Sequence, residues 1–133
     1  MSGETNKSKT WVIVSGTIDG AASSPTSLVF NACFLDNTYT FRNNAGQNYD
    51  VREGATKCNS TDPDITESGS WAFTQDGKIV IIHAQQLNPS TATFGFLEAE
   101  IVELTATSLE ISFEGRDSNN NIVTYTMAFE VAP

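Results

Sequence analysis

Cationic side chains are scarce in this sequence: seven Lys and Arg stand against sixteen Asp and Glu, a formal net charge of −9. A chain of that sign repels phosphate backbones and anionic membrane surfaces, which excludes nucleic acid as a partner. Long apolar runs are also missing. The longest, KIVIIHA, holds a handful of apolar residues where a bilayer-crossing helix needs roughly 20. The leading MSGETNKSKT is polar and lacks the apolar centre of a secretory signal, leaving either a cytosolic protein or one whose signal was removed ahead of residue 1. Helical periodicity is absent too, because apolar residues recur at spacings of two rather than three and four.

What is present is strand grammar. At 133 residues the chain is one domain with one core, divided into a flexible tether over 1–9 and a folded unit over 10–133. TWVIVSGTI (Thr10 to Ile18) is a β-branched strand closed by Asp19 and Gly20. Ala21 to Asp36 reads as a crossing loop with one short helical turn. NTYTFR and QNYDVRE form a hairpin across NNAGQ, and Gly54 to Ser68 reads as a long loop. SGSWAFT and KIVIIHA form a second hairpin around the Asp76-Gly77 pair. After a loop containing Pro89, ATFGFLEAEIVELT is a long strand that bends at Gly95, and TSLEISFEGR and NIVTYTMAFEV close the chain.

In the closing strands Leu109, Ile111 and Phe113 share one face, as do Tyr125, Met127, Phe129 and Val131, while the alternate positions are polar. Eight sequential antiparallel strands with one wet face and short connections predict an all-β, eight-stranded up-and-down barrel, since closure removes exposed edges. A β-sandwich is the alternative, with Ala21 to Asp36 and Gly54 to Ser68 as its crossings.

Particular residues carry a family resemblance. A Trp-led first strand, Cys33 followed by an acidic residue, Tyr39 to Phe41, the EGATKC element at Glu53 to Cys58, Gly69 to Trp71, Asp76 with Gly77, and Glu103 to Thr105 occur in that order. The pattern resembles the small lipocalin-like domains of lipoproteins of the Bacteroidetes, over roughly residues 11 to 131. The lengths of Ala21 to Asn31 and His83 to Thr93 depart from it. The resemblance implies a calycin-type barrel, export to the periplasm or cell surface, a lipid-modified cysteine ahead of this chain as the sole link to a membrane, and a ligand-binding role without a named ligand.

The two cysteines, Cys33 and Cys58, are 25 positions apart, which excludes CxxC redox and zinc-knuckle spacing. A zinc site would need further ligands, and His83 is the only nitrogen donor. Because the cysteines flank the hairpin that would bring them together, a disulfide fits, and such a bond persists outside the cytosol. His83, at a strand end, reads as a rim residue, and no Gly-x-Ser-x-Gly elbow exists. Glu98, Glu100, Glu110, Glu114 and Glu130 take the outward phase of their strands, and the DPD at 62–64 lacks the spaced oxygens of a calcium loop and reads as a turn. No catalytic constellation, metal site or cofactor is expected.

A ligand site would lie among the inward-phase side chains, because eight strands enclose room either for side chains alone or for one small ligand. The lumen candidates are Tyr39, Phe41, Tyr49, Phe73, Phe113, Tyr125, Met127 and Phe129, with Trp11 and Trp71 plugging the closed end. The expected activity is burial of a small apolar or amphipathic molecule by a monomeric, non-enzymatic domain. The alternative is a filled barrel acting as a structural or protein-interaction domain of a cell-envelope lipoprotein.

Overall fold

The structure is a computed structural model that describes residues 7–20, 26–27, 32–61, 63–86, 95–116 and 119–133. Its strands are β1 (Ser8–Gly20), β2 (Thr26–Ser27), β3 (Thr38–Arg42), β4 (Asn48–Arg52), β5 (Ile65–Thr74), β6 (Ile79–Gln86), β7 (Phe96–Leu104), β8 (Ser108–Arg116) and β9 (Ile122–Val131), with one short helix, α1 (Ala32–Leu35), between β2 and β3. Each neighbour pair is antiparallel, and β9 pairs back onto β1 from Val131 opposite Trp11 to Val123 opposite Gly20. Eight strands therefore close into an up-and-down barrel, and β2 is a two-residue addition against Thr17 and Ile18.

Closure explains the length of β1. Its first residues pair with β3, Ser8 opposite Arg42 and Trp11 opposite Tyr39, while Trp11 to Gly20 pair with β9. One strand thus seams both edges. A register shift between Ile13 and Ser15 changes the inward phase from Trp11 and Ile13 to Gly16, leaving Val14 and Ser15 both outward.

The barrel has two different ends. Tight turns after β3, β5 and β7 close the lower one. In the β5–β6 turn Asp76 (φ 56°) and Gly77 (φ 84°) take left-handed conformations, as the Asp-Gly pair predicts. In the β7–β8 turn the Thr105 hydroxyl accepts the N–H groups of Thr107 and Ser108 at 3.2 and 2.9 Å. The upper end receives the longer connections, including α1 and residues 53–64.

Three boundaries move. β5 begins at Ile65, not after Ser68, because Val51 pairs with Glu67 and Arg52 with Ile65, so TES belongs to the ladder. β1 starts at Ser8, two residues into the stretch read as a tether. Gly95 precedes β7 and donates no bend within it; the irregularity falls instead between Ile101 and Glu103. Most of Ala21 to Asn31, Asp62 of the DPD turn, and 87–94 with Pro89 lie outside the described residues.

The core is the inward face of all eight barrel strands. Trp11, Tyr39, Val51, Val80 and Ile82 have no accessible surface, and Phe41, Tyr49, Trp71, Leu109, Ile111, Met127 and Phe129 are at most 5% exposed. Rings meet edge-on across it, Tyr39 with Phe129 at 5.4 Å and Phe41 with Trp71 at 5.7 Å.

Candidate functional site

The inward face differs from bottom to top. At the lower end Trp71 is pinned by three hydrogen bonds: its indole N–H donates to the Arg42 carbonyl (3.1 Å), its backbone N–H donates to the Gln47 carbonyl (3.0 Å), and its own carbonyl accepts from Gln47 Nε2 (3.2 Å). Trp11 is buried on β1, two strands intervening, with the Lys9 ammonium 5.4 Å from its ring centroid. Both tryptophans sit at the closed end. Phe73, on the same inward phase, runs past the last packed layer and is 39% exposed at the lower rim, against Trp71.

The middle of the barrel is closely packed, with its inward side chains at most 5% exposed. Five of the eight lumen candidates belong to that layer: Tyr39, Phe41, Tyr49, Met127 and Phe129. Of the remaining three, Phe73 is at the lower rim, and Phe113 and Tyr125 lie higher. They are register partners on β8 and β9, stacked with centroids 5.5 Å apart and an interplanar angle of 24°, and both stay partly exposed although they face inward. Ile18, opposite Tyr125 on β1, and Leu97 on β7 are likewise inward and only half-buried.

Small residues accompany these rings. On the inward phase near the upper end stand Gly69 opposite Ala84, and Gly115 opposite Val123. A Cβ at Gly115 would fall 2.6 Å from Cε2 of Tyr125, so the ring occupies the space the glycine vacates. Bulk below and smaller residues above leave the apolar surface of this inward wall partly exposed.

Across the barrel from that wall the interior is polar. Glu67, read from sequence as part of a loop, is on the inward phase beside Val51 and has no accessible surface. Tyr49 keeps its hydroxyl buried and without a hydrogen-bond partner. Its pKa lies well above the ordinary tyrosine value, first because burial strips water from the phenolate and then because of the negative charge of Glu67. The only sequence signal for Glu67 was its two-residue spacing from Gly69 and Trp71, hidden because a buried carboxylate breaks the apolar pattern.

Above this polar side lies the EGATKC element, which is tied to α1 and the residue after it and braced within its own loop. Cys58 is disulfide-bonded to Cys33, with Cα atoms 5.0 Å apart. Glu53 accepts the Cys58 N–H at Oε1 (3.2 Å), and the Thr56 N–H donates to Asp36 Oδ2 at 2.7 Å. Gly54 packs so tightly that a Cβ there would meet the Asp36 carbonyl at 2.4 Å. Lys57 pairs with Asp64 at 2.8 Å and holds that carboxyl below its usual range, by hydrogen bond and charge. The element is a clasp.

A family model for the lipocalin-like domain matches residues 8–111. The chain belongs to the lipocalin-like domain family. The match runs from the first residue of β1 into β8; the structure adds that the rest of β8 and β9 complete this lipocalin-like barrel and supply the Phe113 and Tyr125 wall. No curated protein matches the chain.

Shallow clefts mark the outer surface of the lipocalin-like barrel, one over Ser68, Ser70, His83 and Gln85, another over Glu98, Glu100, Ser112, Glu114 and Thr124, where the edge of Phe113 is also reached. Ser70 stands across the ladder from His83, whose ring lies edge-on to Phe96 at 5.9 Å. No group of three His, Cys, Asp or Glu side chains that could hold a metal occurs among the described residues.

Proposed function

We propose that this lipocalin-like domain binds a small apolar or amphipathic molecule at the upper end of its lumen, against the wall formed by Phe113, Tyr125, Leu97 and Ile18. One observation carries the reading: these inward apolar side chains remain partly exposed while every layer beneath them is packed shut. Binding would act through burial of apolar ligand surface, at about 25 cal/mol per Å² before the costs of association. The Cys33–Cys58 disulfide favours an oxidising compartment, hence an exported domain held at the periplasm or cell surface, with residues ahead of β1 as its tether. We read it as a non-enzymatic monomer, its closed ladder offering no long free edge.

The second reading, a filled barrel serving as a structural or interaction domain of a cell-envelope lipoprotein, is favoured by the solid middle layer of the core. A titration separates the two. An apolar fluorescent probe, with fatty acids and tetrapyrroles as competitors, is expected to saturate at one site, and Tyr125→Ala is expected to weaken it by at least tenfold. A flat response across the panel from a cooperatively melting protein would leave the filled barrel as the answer.

A further inference from the structure

The clasp contains more oxygen than it uses. Asp36 gives Oδ2 to the Thr56 N–H and Glu53 gives Oε1 to the Cys58 N–H, yet the second oxygen of each carboxylate is buried without a hydrogen-bond partner. Asn37 has no accessible surface, and neither Oδ1 nor Nδ2 of its side chain has a partner. These atoms belong together. Thr38 pairs with Arg52, so the preceding Asn37 and the following Glu53 come opposite each other, both on the inward phase of Tyr39 and Val51. Asp36 is brought to the same place by its contact with Gly54. Neither carboxylate has an ion-pair partner among the described cations, which are engaged elsewhere or lie apart: Arg42 and Arg52 on Asp50, and Lys57 on Asp64.

The second oxygen of each carboxylate and both polar atoms of the Asn37 amide, buried without partners, are unfavourable unless something positive or hydrogen-bonding meets them. We propose that Asp36 Oδ1, Asn37 Oδ1 and Glu53 Oε2 bind a divalent cation of the hard, oxygen-preferring kind, calcium above all. The donor set is all oxygen, its charge of two carboxylates matches the ion, and water completes the six to eight ligands calcium takes, one such water serving Asn37 Nδ2. Irregular rim loops suit calcium better than magnesium, which demands a near-ideal octahedron. The cation ties the start of β3 to the EGATKC loop and so locks the clasp over the polar side of the lumen, alongside the disulfide. The site is separate from the Phe113 and Tyr125 wall, and its fate is independent of the ligand reading.

The test is isothermal titration of the oxidised full chain with calcium chloride after chelator treatment, with melting curves in parallel. Binding of one ion is expected at a Kd of about 10⁻⁴ to 10⁻³ M, the range of extracellular calcium modules, with a rise in Tm of several degrees at saturation. Asp36→Asn and Glu53→Gln keep the acceptors for the Thr56 and Cys58 N–H groups while removing charge, and each is expected to weaken binding at least tenfold. Glu130→Gln, at an exposed carboxylate of β9 near the opposite end of the barrel, is expected to leave calcium binding unchanged. No heat up to about 10 mM calcium, or an equal response to magnesium that survives Glu53→Gln, would overturn the proposal, the first leaving a hydrated polar cluster and the second only screening of the net negative charge. Should one variant fold poorly, the other and the wild-type titration still decide.

Discussion

Tyr125 lies over Gly115, with ring atom Cε2 2.6 Å from the point where a Cβ would stand. The pair sets the depth of the upper lumen, because the ring can occupy the β8 wall only where that wall has no side chain. Gly115→Ala should push the ring off the wall, an overpacking change that costs about 1 to 3 kcal/mol. A lowered urea midpoint with unchanged slope, together with weaker probe binding, is the expected result; an unchanged midpoint would mean the ring swings free at no cost.

Removing the staple is expected to cost more. The Cys33–Cys58 bond closes a 25-residue separation, for which chain entropy gives about 3 kcal/mol. The Cys33→Ser, Cys58→Ser double variant, or the reduced wild type, should unfold at correspondingly lower urea. Identical curves with and without reductant would refute this.

Tyr49 makes a prediction in pH. Its folded pKa is raised by burial and by Glu67, whereas an unfolded tyrosine ionises near about 10. The unfolded state therefore loses its proton first, so the stability tied to Tyr49 is intact below about pH 10 and declines as the pH climbs toward the folded pKa. Tyr49→Phe should flatten that alkaline decline. At neutral pH it should be neutral or stabilising by about 1 kcal/mol, since it deletes a buried hydroxyl that has no partner. Denaturation curves from pH 7 to 11 read both effects.

Glu103 and Glu110 are direct register partners on the outer face of β7 and β8. Like charges opposite each other destabilise a ladder, and opposite charges contribute roughly 0.2 to 1 kcal/mol. Glu110→Lys should raise the Tm at low salt and lose the gain at high salt; a salt-independent shift would point to packing instead.

Much of the barrel was legible because a wet face and a dry face leave a two-residue rhythm. Leu109, Ile111, Phe129 and Met127 announce their direction in that rhythm, and Asp76-Gly77 announces its turn. β5 was harder. Glu67 and Thr66 are both fully buried, and residues of that kind spell a loop until a ladder partner explains them. Likewise the lumen candidates were alike in phase, and phase says which way a side chain points without saying how far along the barrel it stands. That is why Phe73 falls on the lower rim, Phe41 in the solid middle and Tyr125 near the top.

By itself, then, the sequence determined the strand order, the inward faces, the absence of a membrane-crossing helix and the spacing that lets Cys33 meet Cys58, since each depends on local alternation or composition. Tertiary structure alone decided the register in which β9 returns to β1, that Glu67 faces inward, and that Asp36, Asn37 and Glu53 meet at the rim. Those facts depend on register between strands distant in the chain, and register is set by how the whole barrel closes rather than by any stretch of it.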